Sequence, residues 1–168
     1  TVAKLYENGL IHCISDLYVL TKEDIMQLDG FKEKSAENII NTIERASQDC
    51  PVARWLGALP FKDTDSKTWD IILNTLIGKN EFERGNIIRH YVNDIDPQVF
   101  LSEIIFRYYY PGIGPATLSA INEGWMRNIN DMKKTILHIT FRVTTSDVPV
   151  KCYATFTGCR DTELSEWL

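Results

Sequence analysis

The chain of 168 residues is 44% hydrophobic and 24% charged, the balance of a globular protein able to bury one good core or two small ones. Eighteen basic against twenty-three acidic side chains leave a net charge of −5, which argues against a broad electropositive face and confines any nucleic-acid contact to local features. Cys13, Cys50, Cys152 and Cys159 form no Cys-x-x-Cys pair, no histidine stands at zinc-finger spacing from them, and no apolar run approaches the about 18 residues of a membrane span.

An intracellular chain, cytoplasmic or nucleoid-associated, is therefore expected, with no metal site and no membrane partner.

In chain order, residues 2–8 read as a helix closed at Gly9 with its cap missing, so the chain is expected to begin inside an element. A helical turn follows around Ser15 to Tyr18, with Leu10, Ile11, Leu17 and Leu20 facing inward. Thr21 caps the next helix, Thr21-x-x-Asp24 being a capping box with the shorter acid, and Gly30 ends it. Over residues 34–48, Ala36, Ile39, Ile40, Ile43 and Ala46 follow the three-and-four spacing of a buried helical face. Pro51 opens a helix anchored by Trp55, Leu56 and Leu59, and Pro60 closes it.

Ser66 is expected to cap a helix carrying Trp69, Ile72, Leu73 and Leu76, and residues 81–92 to form a polar helix. Pro97 starts another, with Val99, Phe100, Ile104 and Ile105. From Pro115 a helix carries Leu118, Ile121 and Trp125, and a further one spans about 128–139, unless residues 136–143 form a strand. Residues 144–150 read as a linker, and 151–158 alternate as a strand does before a helix starts at Asp161.

The most informative segment is Tyr110-Pro111-Gly112-Ile113-Gly114-Pro115-Ala116-Thr117. Two glycines one residue apart permit a tight turn and a close approach, Ile113 pins it to the core, and the free amides opening the next helix attract an anion. A looser copy lies at Gly30-Phe31-Lys32-Glu33-Lys34-Ser35. The candidate phosphate-binding residues are thus Gly30, Lys34, Ser35, Gly112, Ile113, Gly114, Ala116 and Thr117, and a tight turn between core helices is the alternative reading. Phe61 to Trp69 could hold a third copy, but Asp63 and Asp65 replace its glycines and would repel a phosphate, so this turn reads as structural.

Taken in order, Leu17-Tyr18-x-Leu20-Thr21, Gly30-Phe31-x-Glu33-Lys34-Ser35-Ala36-Glu37-Asn38, Ala53-Arg54-x-Leu56-x-Ala58-Leu59 and Pro111-Gly112-Ile113-Gly114-Pro115 resemble the C-terminal half of NAD-dependent DNA ligases. The resemblance covers most of residues 2–59, returns at 108–122 and touches 151–158, where Phe156-Thr157-Gly158 resembles the opening of a BRCT domain. It implies a mainly α fold: tandem helix-hairpin-helix motifs over residues 1–143, the first incomplete and the third degenerate. After the linker, residues 151–168 would be a truncated BRCT-like start with a short β segment. The resemblance also implies backbone contacts to nicked double-stranded DNA in replication or repair.

Two departures stand out: Lys32 occupies a position where that family usually shows a second glycine, and the turn at Asp63 lacks both. The adenylated lysine, nicotinamide pocket and nucleotidyl-transfer machinery of such ligases lie upstream of the resembling region. No cofactor is expected in this chain, NAD and Mg being implied for the complete ligase. Catalysis would belong to a separate or missing catalytic portion, the chain being a split subunit or a fragment.

Two other classes compete. A protein-interaction scaffold with degenerate hairpins suits the acidic balance. A repair glycosylase also uses a Pro-Gly-x-Gly hairpin, but Pro115 and Ala116 follow it here in place of a lysine, and Asp131 sits among polar residues without an evident pocket.

Overall fold

The computed structural model describes residues 2–143, which are mainly helical. The linker, the β segment and the BRCT-like start assigned from sequence lie outside the described residues. In order come α1 (Val2–Glu7), a 3-10 turn (Ile14–Tyr18), α2 (Lys22–Met26), α3 (Glu33–Ser47), α4 (Val52–Ala58), α5 (Ser66–Leu76), α6 (Glu81–Asn93), α7 (Pro97–Phe100), a π-type turn (Leu101–Ile105), α8 (Pro115–Thr135) and a 3-10 turn (Ile136–His138). Among the described residues no helix is long and apolar enough to cross a membrane.

Two apolar clusters organise these elements. The smaller joins α1 to α3 through Leu5, Ile11, Ile25, Leu28 and Ala36. The larger gathers α4 to α8 around fused aromatics: Phe61 and Trp69 have ring centroids 5.2 Å apart, and Phe100 and Trp125 4.2 Å. Trp55, Trp69 and Trp125 are core residues, as their spacing predicts, and their indole N–H groups are buried without acceptors. The first 3-10 turn joins the clusters, since Asp131 Oδ1 on α8 accepts the Ser15 N–H at 3.1 Å and the Tyr18 ring stacks on His138.

Sequence and structure part company at four points. Asp65, not Ser66, caps α5, because its Oδ1 accepts the Thr68 N–H at 2.8 Å and Ser66 is already the first helical residue. The helix from Pro115 runs unbroken to Thr135: Ile121, Trp125 and Met132 keep one stripe inward, and Asn128 donates to the Gly124 carbonyl at 2.8 Å instead of ending the helix. Residues 136–143 make a 3-10 turn and one isolated parallel bridge between Cys50 and Phe141 instead of a strand. Ala46, assigned to the buried face of α3, is exposed.

A buried arginine ties the centre of the large unit. Arg84 on α6 is 4% exposed and donates to the Gly78 carbonyl, Asp70, Asn74 and Glu81. The second oxygen of Glu81 accepts the Val52 N–H at 3.0 Å, at the start of α4. Four hydrogen-bond partners satisfy a guanidinium that would be costly to bury unpaired.

Candidate functional site

Two turns share one backbone design. In Leu28-Asp29-Gly30-Phe31 the Phe31 N–H donates to the Leu28 carbonyl at 3.1 Å, and in Tyr110-Pro111-Gly112-Ile113 the Ile113 N–H donates to the Tyr110 carbonyl at 3.1 Å. The third residues, Gly30 and Gly112, have φ of 86° and 76°, the left-handed conformation that a type II turn demands there. Two residues further on, Lys32 and Gly114 are extended N-caps, with ψ of 169° and 168°, leading into α3 and α8. Asp63 repeats the positive φ, at 54°, two residues before the N-cap Asp65, so the turn without glycine keeps the local path.

What separates these turns is what occupies the helix start. The first turn of a helix leaves N–H groups without intrahelical acceptors. Side-chain oxygens fill that place at most helices here: Thr21 Oγ1 on the Asp24 N–H in α2, Glu81 on Val52 in α4, Asp65 on Thr68 in α5, Asn80 on Glu83 in α6 and Asp96 on Gln98 in α7. Hydrogen bonding to the Thr68 amide holds the Asp65 carboxyl below its ordinary range, and the Thr21 hydroxyl does the same to Asp24.

At α3 and α8 no side chain caps the helix. Pro115 has no N–H to satisfy, and the Thr117 and Leu118 amides both turn back to the Gly114 carbonyl, which leaves the Ala116 N–H as the outward donor of α8.

The sequence-assigned residues fall on these two open ends. Gly112, Gly114 and Ala116 are exposed, while Thr117 and Ile113 are half-buried, Ile113 packing on the large core as its apolar character predicts. A Cβ at Gly112 or Gly114 would meet nothing within 4 Å, so both face open solvent. At the other end Gly30 and Lys34 are exposed, and the half-buried Ser35 accepts the Lys32 N–H at 2.9 Å and donates to its carbonyl at 2.7 Å, stiffening the entry. Ser35 thus supports the turn with its own hydroxyl.

Lysines and carboxylates both surround the α3 end, with Asp29 in the turn and Glu33 at the first helical position. Lys32 is its N-cap and Lys34 stands in its first turn, Lys4 Nζ donates to the Asp29 carbonyl at 3.3 Å, and Lys22 draws the Glu33 carboxylate aside at 2.6 Å. That ion pair lowers the Glu33 pKa and removes an acidic group from competition for the helix start. The α8 end has no acidic residue in its first turn. Helix dipole and free amides together give both ends a local positive potential without altering net charge. Sequence reasoning found these glycines but missed the contrast with the side-chain-filled helices, most of which Asp or Asn at an N-cap position could have revealed.

Comparison with known proteins gives partial matches. The chain is 41% identical over 58 residues to a DNA ligase of Chlamydia caviae and 44% identical over 68 residues to DNA ligase 2 of Clostridium acetobutylicum. These stretches are 34% and 40% of this chain but 9% and 10% of those proteins, so it spans about a tenth of the length of the curated relatives it matches. A DNA ligase of Chlamydia felis is likewise 41% identical over 58 residues. No family model matches the chain, and no solved structure does. A stretch of this mainly helical chain is therefore similar to a stretch of DNA ligases.

Proposed function

We propose that this chain is a non-catalytic, DNA-gripping part of an NAD-dependent DNA ligase, holding the sugar-phosphate backbone of nicked duplex DNA through helix-hairpin-helix turns at Gly30 and Gly112. The observation that carries this reading is the pair of uncapped helix starts, α3 and α8, in a chain whose other described helices from α2 onward fill theirs with side-chain oxygens. A phosphate supplies the missing acceptor. The similarity to DNA ligases supports the same partner. Lys34 adds a point charge beside the first turn, and Gly112, Ile113, Gly114, Ala116 and Thr117 form the second.

Among the described residues no group of three His, Cys, Asp or Glu is disposed to hold a metal ion. In this reading the chemistry belongs to residues other than these.

A scaffold role is the second reading, favoured by the Asp63 turn, whose helix start Asp65 already occupies, and by the net charge of −5. Fluorescence anisotropy with a nicked duplex separates the two over about 50 to 200 mM salt. Engagement of phosphate at the open ends predicts affinity that falls with salt, a negative slope weakened together with the affinity in Gly114→Asp. Absence of binding to nicked, gapped and intact duplex overturns the gripping role and leaves the scaffold.

A further inference from the structure

Immediately before the second turn, Tyr108, Tyr109 and Tyr110 take opposite fates. Tyr110 is 1% exposed, its hydroxyl donates to the Ile104 carbonyl at 3.2 Å, and its own carbonyl closes the Gly112 turn. Tyr109 is 82% exposed, the most exposed large hydrophobic side chain among the described residues, and Tyr108 and Phe106 beside it are about half exposed. An aromatic ring in water next to a residue locked in the core is a presented surface, because its backbone cannot retreat when a partner arrives.

We propose that Tyr109 is a specificity-determining residue that stacks on a nucleotide face uncovered at a strand interruption, and so favours nicked or gapped over continuous duplex. The inference rests on the gripping role proposed above. Tyr109 and Gly112 are three residues apart, so their Cα atoms lie within about 11 Å. With about 3.4 Å of helix axis per nucleotide of one strand, that span corresponds to roughly three nucleotides from a phosphate held beside Gly112. In continuous duplex the base faces are covered by their neighbours. A one-nucleotide gap removes the covering neighbour, and a nick lets the stack open there; stacking on the face so uncovered needs no charge, which suits a chain of net −5 with few phosphate contacts.

The test compares the full chain with Tyr109→Ala and Tyr109→Phe on intact, nicked and one-nucleotide-gapped duplexes, with 2-aminopurine flanking the break as a stacking reporter. The parent chain should prefer the gapped duplex and change the 2-aminopurine emission. Tyr109→Ala should lose roughly ten-fold in affinity for it, with the salt slope, intact-duplex binding and melting temperature unchanged, while Tyr109→Phe retains the preference.

A parent chain that binds DNA without preferring interruptions, or a preference that survives in Tyr109→Ala, overturns this inference alone. A parent chain that binds no DNA overturns the gripping role, and this inference with it. Sedimentation showing a dimer that Tyr109→Ala dissociates would assign the ring to a second copy of the chain and overturn the inference as well.

Discussion

Asp131 Oδ1 accepts the backbone N–H of Ser15 at 3.1 Å, joining positions 116 apart in the chain and seating the first 3-10 turn against α8. Ser15 is buried, so its amide has no water to replace this acceptor. The same carboxylate is the one a glycosylase-type reading would ask to work at a sugar; contrary to the sequence expectation it does line a cavity, of about 760 Å³ with Tyr6, His12 and Arg127, but its Oδ1 is engaged in structure. Because α3 and α8 both touch this turn, the contact also fixes how the two uncapped helices stand relative to one another.

Asp131→Ala should destabilise the chain by about 1–3 kcal/mol, the cost of a buried amide left without a partner. Asp131→Asn keeps an acceptor oxygen and should lose less than half as much. Chemical denaturation of the three proteins decides it, equal losses in both variants contradicting the hydrogen-bond account.

Gly57 lies where α4 meets the start of α5, and a Cβ there would stand 2.4 Å from the backbone nitrogen of Ser66. Backbone cannot swing aside as a side-chain tip can. Gly57→Ala should therefore cost about 1–3 kcal/mol through forced separation of the helices. A thermal midpoint equal to that of the parent chain would refute the close approach.

The two glycines of the second turn should respond differently. Gly112 has positive φ, so Gly112→Ala should cost about 1 kcal/mol of stability through backbone strain, whereas Gly114→Ala, at φ of −88° with open space around it, meets no strain and should cost only the roughly 0.5 kcal/mol by which alanine is the poorer N-cap. Gly114→Asp should raise stability by a few tenths of a kcal/mol, as an N-cap carboxylate accepts a first-turn amide. The same change should weaken DNA binding, because it fills the place proposed for phosphate. Opposite signs in melting and binding are the diagnostic, and parallel changes would point to simple misfolding.

Acid should destabilise the fold through its capping aspartates. The carboxyls of Asp16, Asp24 and Asp65 are held low in the folded chain, chiefly by the His12 amide, the Thr21 hydroxyl and the Thr68 amide respectively. With folded values below unfolded ones, the unfolded chain binds more protons, and this stability is fully present above the unfolded value of about 3.9. It is lost as pH falls from about 4 through the lower folded values. Melting temperatures recorded across this range should drop, and the drop should shrink in Asp65→Asn, which keeps a cap acceptor that does not titrate. An identical acid profile in that variant would exclude Asp65 as a contributor.

Local signals in the sequence translate faithfully. The Thr21 and Asp24 capping box forms as the spacing predicts, with the Asp24 carboxylate on the Thr21 N–H at 2.9 Å, because all its atoms lie within one turn. The tryptophan anchors and the positive-φ glycines are equally legible. Arg84 is not: a helix with Glu81, Glu83, Arg84 and Arg89 reads as solvated, and only α5 and the Gly78 loop bring the partners that allow burial. The long α8 was obscured by the polar run Asn128, Asn130 and Asp131, which resembles a helix boundary until Asn128 is seen bonding to the Gly124 and Pro60 carbonyls. For the candidate site, the glycines are visible but vacancy is not, since Glu81 reaches the α4 start across 29 positions.

The two-handed grasp of Glu81, one oxygen on Arg84 and the other on the Val52 amide, ties α4 to α6 while Arg84 ties α6 to α5, so the three should open as a single cooperative block. Their slowest amide protons should then exchange with deuterium at a shared rate, so that a tug on α4 is felt in α6 before either frays alone.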